Sequence, residues 1–316
     1  MDRLKKIANI NTGLFKRILY RSNYHKHFTR FKFTKISYPE FIYISPTNYK
    51  KDGGCSQLLR QLSIITFTRA HNFSYLHIPI SEVSHNVNND SDWDEKWEQF
   101  LNLSNFSVPM DHHRENGKKF KNFNKLTSEI VLNSKSDNNR YYKIDDCFPF
   151  IYHQPESLKL IQNDLRDSYK SNKFSKNIIF EPDLLNISIH IRRGDVTANR
   201  NNKRFTTTDK LVQIIRRIKS QLGDRNYCIY GFCVDYYDDF LKLESEGVKI
   251  IHDFDIFQVM NHLISSDLLV MSKSTISYIS ALLNEGIIIH EPFLYPPLDE
   301  WLNIENFDSD LINKLS

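Results

Sequence analysis

Asn186 to Asp195 reads NISIHIRRGD, and its residue types are those of a strand that ends in an anion-binding turn. Ile187, Ile189 and Ile191 alternate with Ser188 and His190, a period-two pattern of β-branched residues that predicts a strand. Arg192 and Arg193 fall where that strand stops. In open α/β sheets ligands bind in the crevice beyond the strand ends, and a guanidinium there can grip phosphate oxygens through charge-assisted hydrogen bonds. The chemistry this suits is transfer of a group away from a diphosphate. Breaking that bond builds negative charge on the departing phosphate, and preorganised cations aimed at it lower the barrier. Asp195 is the nearest carboxylate and a candidate for accepting the acceptor's proton, although a carboxylate flanked by cations makes a weak base. The alternative for the same residues is a surface ion pair of the arginines with Asp195.

Other residues fall at the ends of predicted strands of the same half. Ser274, Thr275 and Ser277 cluster before a helix, where hydroxyls and N–H groups can complete a phosphate cradle, while Ser274 alone can serve as a plain helix cap. Asp235 follows Tyr230-Gly231-Phe232 and can read a nucleoside, or be a solvated acid at a helix start. His190, on the polar side of its strand, either faces a ligand or is a buried imidazole satisfied internally. Asp253-Phe254-Asp255 has the Asp-x-Asp form of a metal-binding motif, but Asp255 with Gln258 three residues on reads as a capping box. No cluster with metal-ligand spacing is expected. Gly53 and Gly54 break the chain before an apolar-striped helix whose first N–H groups could receive a phosphate, or could form a plain tight turn.

His190 to Asp195, HIRRGD, resembles the donor-site motif of the α-1,2-fucosyltransferases, which is shared more loosely with α-1,6- and protein O-fucosyltransferases. Phe257 to Leu283, FQVMNHLISSDLLVMSKSTISYISALL, resembles a later motif of that family, and Asp52 to Ile80 is similar to its opening Gly-rich turn, helix and strand. The turn reads Gly53-Gly54-Cys55-Ser56-Gln57 in place of the usual Gly-x-Gly-Asn-Gln. The resemblance implies a GT-B-like α/β fold, two Rossmann-type doubly wound domains facing a cleft. It implies inverting, metal-independent transfer of fucose from GDP-fucose to a glycan hydroxyl, with no further cofactor. Arg192 would hold the β-phosphate with Asp195 beside it. His190, Arg193, Gly53, Gly54, Asp235, Ser274, Thr275 and Ser277 would bind the donor. Some relatives carry a glutamate shortly after the motif, and none stands between Val196 and Arg217. Another nucleotide sugar, such as a UDP-sugar, or a catalytically silent nucleotide- or glycan-binding protein, remains an alternative.

The elements that must position these residues are legible as alternation. Strands are predicted at 187–191, 227–232, 248–252, 268–272 and 287–290, separated by helices at about 209–222, 236–246, 256–265 and 275–284. Gly223, Gly247 and Gly286 are expected as helix caps. Strand, helix, strand repeated in this way means a parallel doubly wound sheet. Upstream, 41–45 and 75–80 are predicted strands around a helix carrying Leu58, Leu62, Ile65 and Ala70. Trp93, Trp97 and Phe100 recur at helical spacing and read as core rather than as a sugar platform. The domains are expected at 1–36, a basic arm able to make peripheral contacts, at 37–172, an acceptor-side α/β domain, and at 173–316, the donor domain.

A chain of 316 residues with a formal net charge of +4 can bury two cores and offers no strong case for nucleic acid. Cys55, Cys147, Cys228 and Cys233 show neither CxxC pairing nor metal spacing, so reduced structural thiols are expected. No apolar run is long enough for a membrane span and no signal-peptide pattern is seen, which together predict a cytoplasmic location.

Overall fold

The computed structural model describes residues 30–47, 51–86, 89–109, 117–172, 174 and 176–315, and most of the basic stretch at 1–36 lies outside them. By its contacts the chain divides into two compact units. The first comprises Met1–Lys51, Arg60–Glu82 and Leu103–Ile161, and the second comprises Asp52–Leu59, Val83–Asn102 and Gln162–Ser316.

The first unit is built on a parallel four-stranded sheet of order β2-β1-β4-β3: β1 (Ile42–Pro46), β2 (Ser74–Tyr75), β3 (Lys118–Phe120) and β4 (Arg140–Ile144). The strand expected over 75–80 is paired only at Ser74–Tyr75, because beyond Leu76, whose N–H still reaches the Ile44 carbonyl at 2.9 Å, the backbone leaves the sheet. Two strands that the sequence hides complete the sheet. β3 is three residues long with one buried side chain, Phe120, too short for periodicity to register. Helix α1 (Gly54–Ala70) carries Leu58, Leu62 and Ile65 into the interior as its stripe predicts.

α3 (Phe123–Leu132) and α4 (Phe148–His153) also belong to the first unit, α5 (Lys159–Lys170) begins there and runs on into the second, and the second unit holds α2 (Trp93–Leu101). Its sheet alternates β5 (Leu185–His190), α6 (Thr208–Leu222), β6 (Tyr227–Phe232), α7 (Leu241–Glu244), β7 (Val248–Ile251), α8 (Ile256–Ser265), β8 (Leu268–Val270), α9 (Thr275–Leu283) and β9 (Ile287–His290). Then come β10 (Leu302–Asn303) and α10 (Asp308–Leu315). All neighbours are parallel, in the order β7-β6-β5-β8-β9-β10. Counted from β5 as the first strand, that is the doubly wound order 3-2-1-4-5-6, which reverses direction between β5 and β8. Ile187, Ile189 and Ile191 pack in one cluster with Leu211, Ile215 and Ile218 of α6, so the apolar side of the motif strand is core.

Two local expectations are corrected. The helix at 236–246 is a single turn of 3-10 helix (Asp238–Phe240) running into four residues of α7. Gly223 and Gly247 do take positive φ, +61° and +77°, past their helices. Gly286 does not. A Cβ there would lie 2.3 Å from the Asp267 carbonyl oxygen, so this glycine exists for close backbone approach between β8 and β9 rather than as a cap.

Candidate active site

The direction reversal between β5 and β8 opens a crevice at the carboxyl ends of the strands, the usual ligand position in such sheets. Within the second unit a cavity of about 700 Å³ lies there. Its wall takes His190 and Arg192 from the end of β5, Phe232 to Asp235 from the end of β6, and His252 to Val259 from the end of β7 and the start of α8. Ile276 comes from α9, and His85, Asn86, Asp90, Trp93 and Lys96 from the segment that contains α2.

Arg192 stands two residues past β5, where Ile191 N–H still bonds the Phe232 carbonyl at 2.7 Å and holds the turn to β6. One Nη lies 2.5 Å from Asp195 Oδ1, with the side chains 20% and 38% exposed. Its Nε is buried and has no hydrogen-bond partner among the described residues. A partly exposed ion pair of this kind is worth about 0–1 kcal/mol, so the guanidinium can be given up to a ligand at little cost. Gly194, at φ +79°, turns the chain between the two, and its N–H bonds the Tyr237 hydroxyl at 3.2 Å.

Arg193 meets different surroundings. It is 4% exposed, sits over the Phe205 ring at 4.4 Å and the Phe240 ring at 5.6 Å, and donates to Thr208 Oγ1 at 3.2 Å. It also donates to the main-chain carbonyl of Arg192 at 3.0 Å. Burial pushes its pKa down, and Asp239 opposes that. Arg193 is not among the cavity-lining residues.

His190 is 5% exposed and lines the cavity. Its Nδ1 lies 2.5 Å from Ser277 Oγ and 2.9 Å from Ser272 Oγ, and Ser277 Oγ in turn accepts the Ser272 N–H at 3.1 Å. Burial, with a smaller contribution from Arg192, pulls its pKa to about 3, so the ring is neutral at physiological pH. The partners are therefore hydroxyls from β8–α9 rather than a backbone carbonyl. Ser277 is fully buried in this contact, and Ser274 caps α9 by accepting from Ile276 N–H at 3.3 Å. Thr275 is 8% exposed. Lys273, in the same turn, is committed to the buried carboxylate of Glu291 at 3.1 Å.

Asp235 lines the cavity beside Cys233, whose thiol burial pushes up to about 12. Asp253 and Asp255 line it too, but Asp255 is the N-cap of α8, with both halves of the capping box in place. Among the described residues no group of three or more His, Cys, Asp or Glu could hold a metal ion. All four cysteines are free and buried, as expected of structural thiols. Gly53 and Gly54 are not in the wall. Gly53 N–H is bonded to the Asp52 carboxylate at 3.0 Å, and a Cβ on Gly54 would lie 2.1 Å from the Trp97 ring, so that glycine lets an indole lie against the helix start.

Sequence reasoning missed Arg204 and the positions of His85 and Trp93 in the cavity wall. Arg204 donates to the Lys273 carbonyl at 3.4 Å and lies over Phe293 at 5.1 Å. Its pKa is lowered first by burial and then by Arg192, which marks the Arg192 surroundings as electropositive. No periodic signal marks Arg204, which ends a single 3-10 turn (Asn202–Arg204).

No family model matches the chain, and no curated protein matches it in sequence. Among solved structures, E. coli heptosyltransferase WaaC with ADP-2-deoxy-2-fluoro heptose is similar at 10% identity and TM-score 0.38, over 87% of this chain and 98% of that one. POFUT1 in complex with GDP-fucose is similar at 10% identity and TM-score 0.40, over 78% of this chain and 96% of that one. Likenesses at these scores carry no inference about activity.

Proposed function

We propose that the chain is a glycosyltransferase of GT-B type, transferring a sugar from a nucleoside diphosphate, with GDP-fucose the donor and a glycan hydroxyl the acceptor, by inversion and without a metal. The observation that carries the reading is Arg192, at the carboxyl end of β5 beside the sheet's reversal point, with an unpartnered buried Nε and a weakly held ion pair inside a ligand-sized cavity. The HIRRGD motif supplies the fucose and guanine part of the proposal.

In this mechanism Arg192 holds oxygens of the β-phosphate and releases Asp195 as it does so, and that carboxylate takes the acceptor hydroxyl's proton as the new glycosidic bond forms and the diphosphate departs. Charge builds on the departing diphosphate as the anomeric bond breaks, and the guanidinium is already in place to receive it. Arg193 acts through Arg192, by holding its main-chain carbonyl and the turn, and not on the phosphate. His190 offers the cavity a neutral ring whose orientation two serine hydroxyls fix, suited to hydrogen bonding with the donor. The N–H groups at the start of α9 favour an anion, while Ser277 serves by orienting His190. Asp235 is proposed for the nucleoside. Gly53 and Gly54 shape the start of α1.

The test is donor hydrolysis and transfer with GDP-, UDP- and ADP-sugars in the presence of EDTA, on wild type, Arg192→Ala and Arg192→Lys. Turnover with GDP-fucose is expected to survive chelation. Both variants are expected to lose a factor on the order of a hundred to a thousand, about 2.7–4 kcal/mol of barrier, with melting temperature little changed. Lysine fails because it supplies a point charge without the planar fork. Near-normal turnover in Arg192→Ala would reduce the motif to a surface ion pair. Preferential turnover of a UDP- or ADP-sugar would keep the chemistry and change the donor.

A further inference from the structure

We propose that Trp93 and His85 form a saccharide-reading wall of the cavity, with a pyranose ring stacked on the Trp93 indole and its hydroxyls met by the His85 imidazole. The proposal rests on the glycosyl-transfer reading above and assigns the sugar to particular side chains.

Trp93, Trp97 and Phe100 share one face of α2, yet they part company in the structure. Trp97 is 3% and Phe100 0% exposed, whereas Trp93 is half-buried and lines the cavity. Its ring is held edge-on by Trp97 at 5.9 Å and by Phe257 at 5.7 Å, so its orientation is set before any ligand arrives. The indole Nε1 is buried and unpartnered among the described residues, which means the ring turns carbon surface rather than its N–H to the cavity. A rigid apolar plane amid polar side chains is the surface that suits the C–H face of a sugar.

His85 has φ +67°, a conformation that a residue with a Cβ takes only where its surroundings enforce it. They do so on both sides. Ser84 N–H bonds the Asp52 carbonyl at 3.1 Å and bridges Gly53, while the Asn86 amide clasps the main chain of Asp90 through two bonds of 2.8 Å. The imidazole is thus presented to the cavity on a braced backbone. The two ring nitrogens of an imidazole are hydrogen-bonding groups suited to sugar hydroxyls. Lys96, nearby in the wall, is taken up by Asp90 and Asp92 at 3.1 Å each, so its ammonium is already committed.

The experiment titrates GDP, GDP-fucose and a panel of neutral saccharides into wild type, Trp93→Ala, Trp93→Phe and His85→Gly. His85→Gly removes the imidazole while keeping the backbone, since glycine takes positive φ without penalty. We expect GDP affinity to stay within twofold in all three variants. Affinity for GDP-fucose, or for saccharides if the stacked ring is the acceptor's, should fall about tenfold in Trp93→Ala and partly recover in Trp93→Phe. His85→Gly should show a loss of several-fold with its melting temperature unchanged. An equal loss for GDP itself would make Trp93 a nucleobase platform and overturn the proposal, as would no change in either sugar-bearing arm. Failure of GDP to bind wild type would remove GDP-fucose as the donor in the reading above, and the saccharide panel then still decides the wall on its own.

Discussion

Neighbouring residues of one motif have separate fates: Arg192 faces the cavity, Arg193 lies between two phenyl rings, and His190 is neutral against two serines. The sequence made all three candidates but could not divide them, because which side chain of a turn is buried depends on rings supplied by Phe205 and Phe240 farther along the chain. His190 also has a consequence for stability. Its pKa is about 3 in the folded chain against a usual 6.5, so the unfolded chain binds the extra proton below pH 6.5. The stability this imidazole contributes is therefore complete above pH 6.5 and is lost as pH falls toward 3, by roughly 2 kcal/mol at pH 5. His290, held at about 4 by burial, adds in the same direction. Melting temperature measured from pH 7.5 to pH 5 should drop in the wild type and drop less steeply in His190→Gln. An identical slope in the two would mean that the ring titrates freely.

At the scale of elements, the alternation after residue 186 was legible because each strand is a short apolar run and the helices carry an apolar stripe. Leu211, Ile215, Ile218 and Leu222 show it on α6. The capping box at Asp255 was legible for the same reason, since its two partners are three residues apart and local. What escaped was structure made by distant partners. β10 is two residues long and is defined only by pairing with β9, and Gly286 looks like a cap until Asp267 is placed against it. The Ile287 N–H bonds the same Asp267 carbonyl at 2.8 Å, so the backbone cannot retreat to admit a methyl group without losing a sheet bond. Gly286→Ala should cost about 2–3 kcal/mol in urea denaturation, against about 1 kcal/mol for Gly247→Ala, where a Cβ meets nothing within 4 Å and only backbone strain is paid. Equal costs would show that β8 and β9 can separate.

Across the whole molecule, the sequence reveals two α/β regions through their patterns but holds no periodic sign that Asp52–Leu59 and Val83–Asn102 belong by contact with Gln162–Ser316. That membership arises from aromatic packing between residues far apart in sequence: Phe257 meets Trp93 at 5.7 Å, Trp97 at 4.8 Å and Phe100 at 5.4 Å. During synthesis, then, α2 emerges from the ribosome long before its partner, and its rings must wait without the Phe257 contact until residue 257 follows. Chains are made at about 5–20 residues per second, so the wait lasts many seconds, during which these rings are a natural target for chaperones. A fragment beginning at residue 162 never receives them. Expressed alone it should bind hydrophobic dye and melt without a cooperative transition, whereas the full chain melts sharply. A cooperative, dye-silent fragment would show that the late-arriving half completes its own core, and the early segment would then be a passenger recruited after folding.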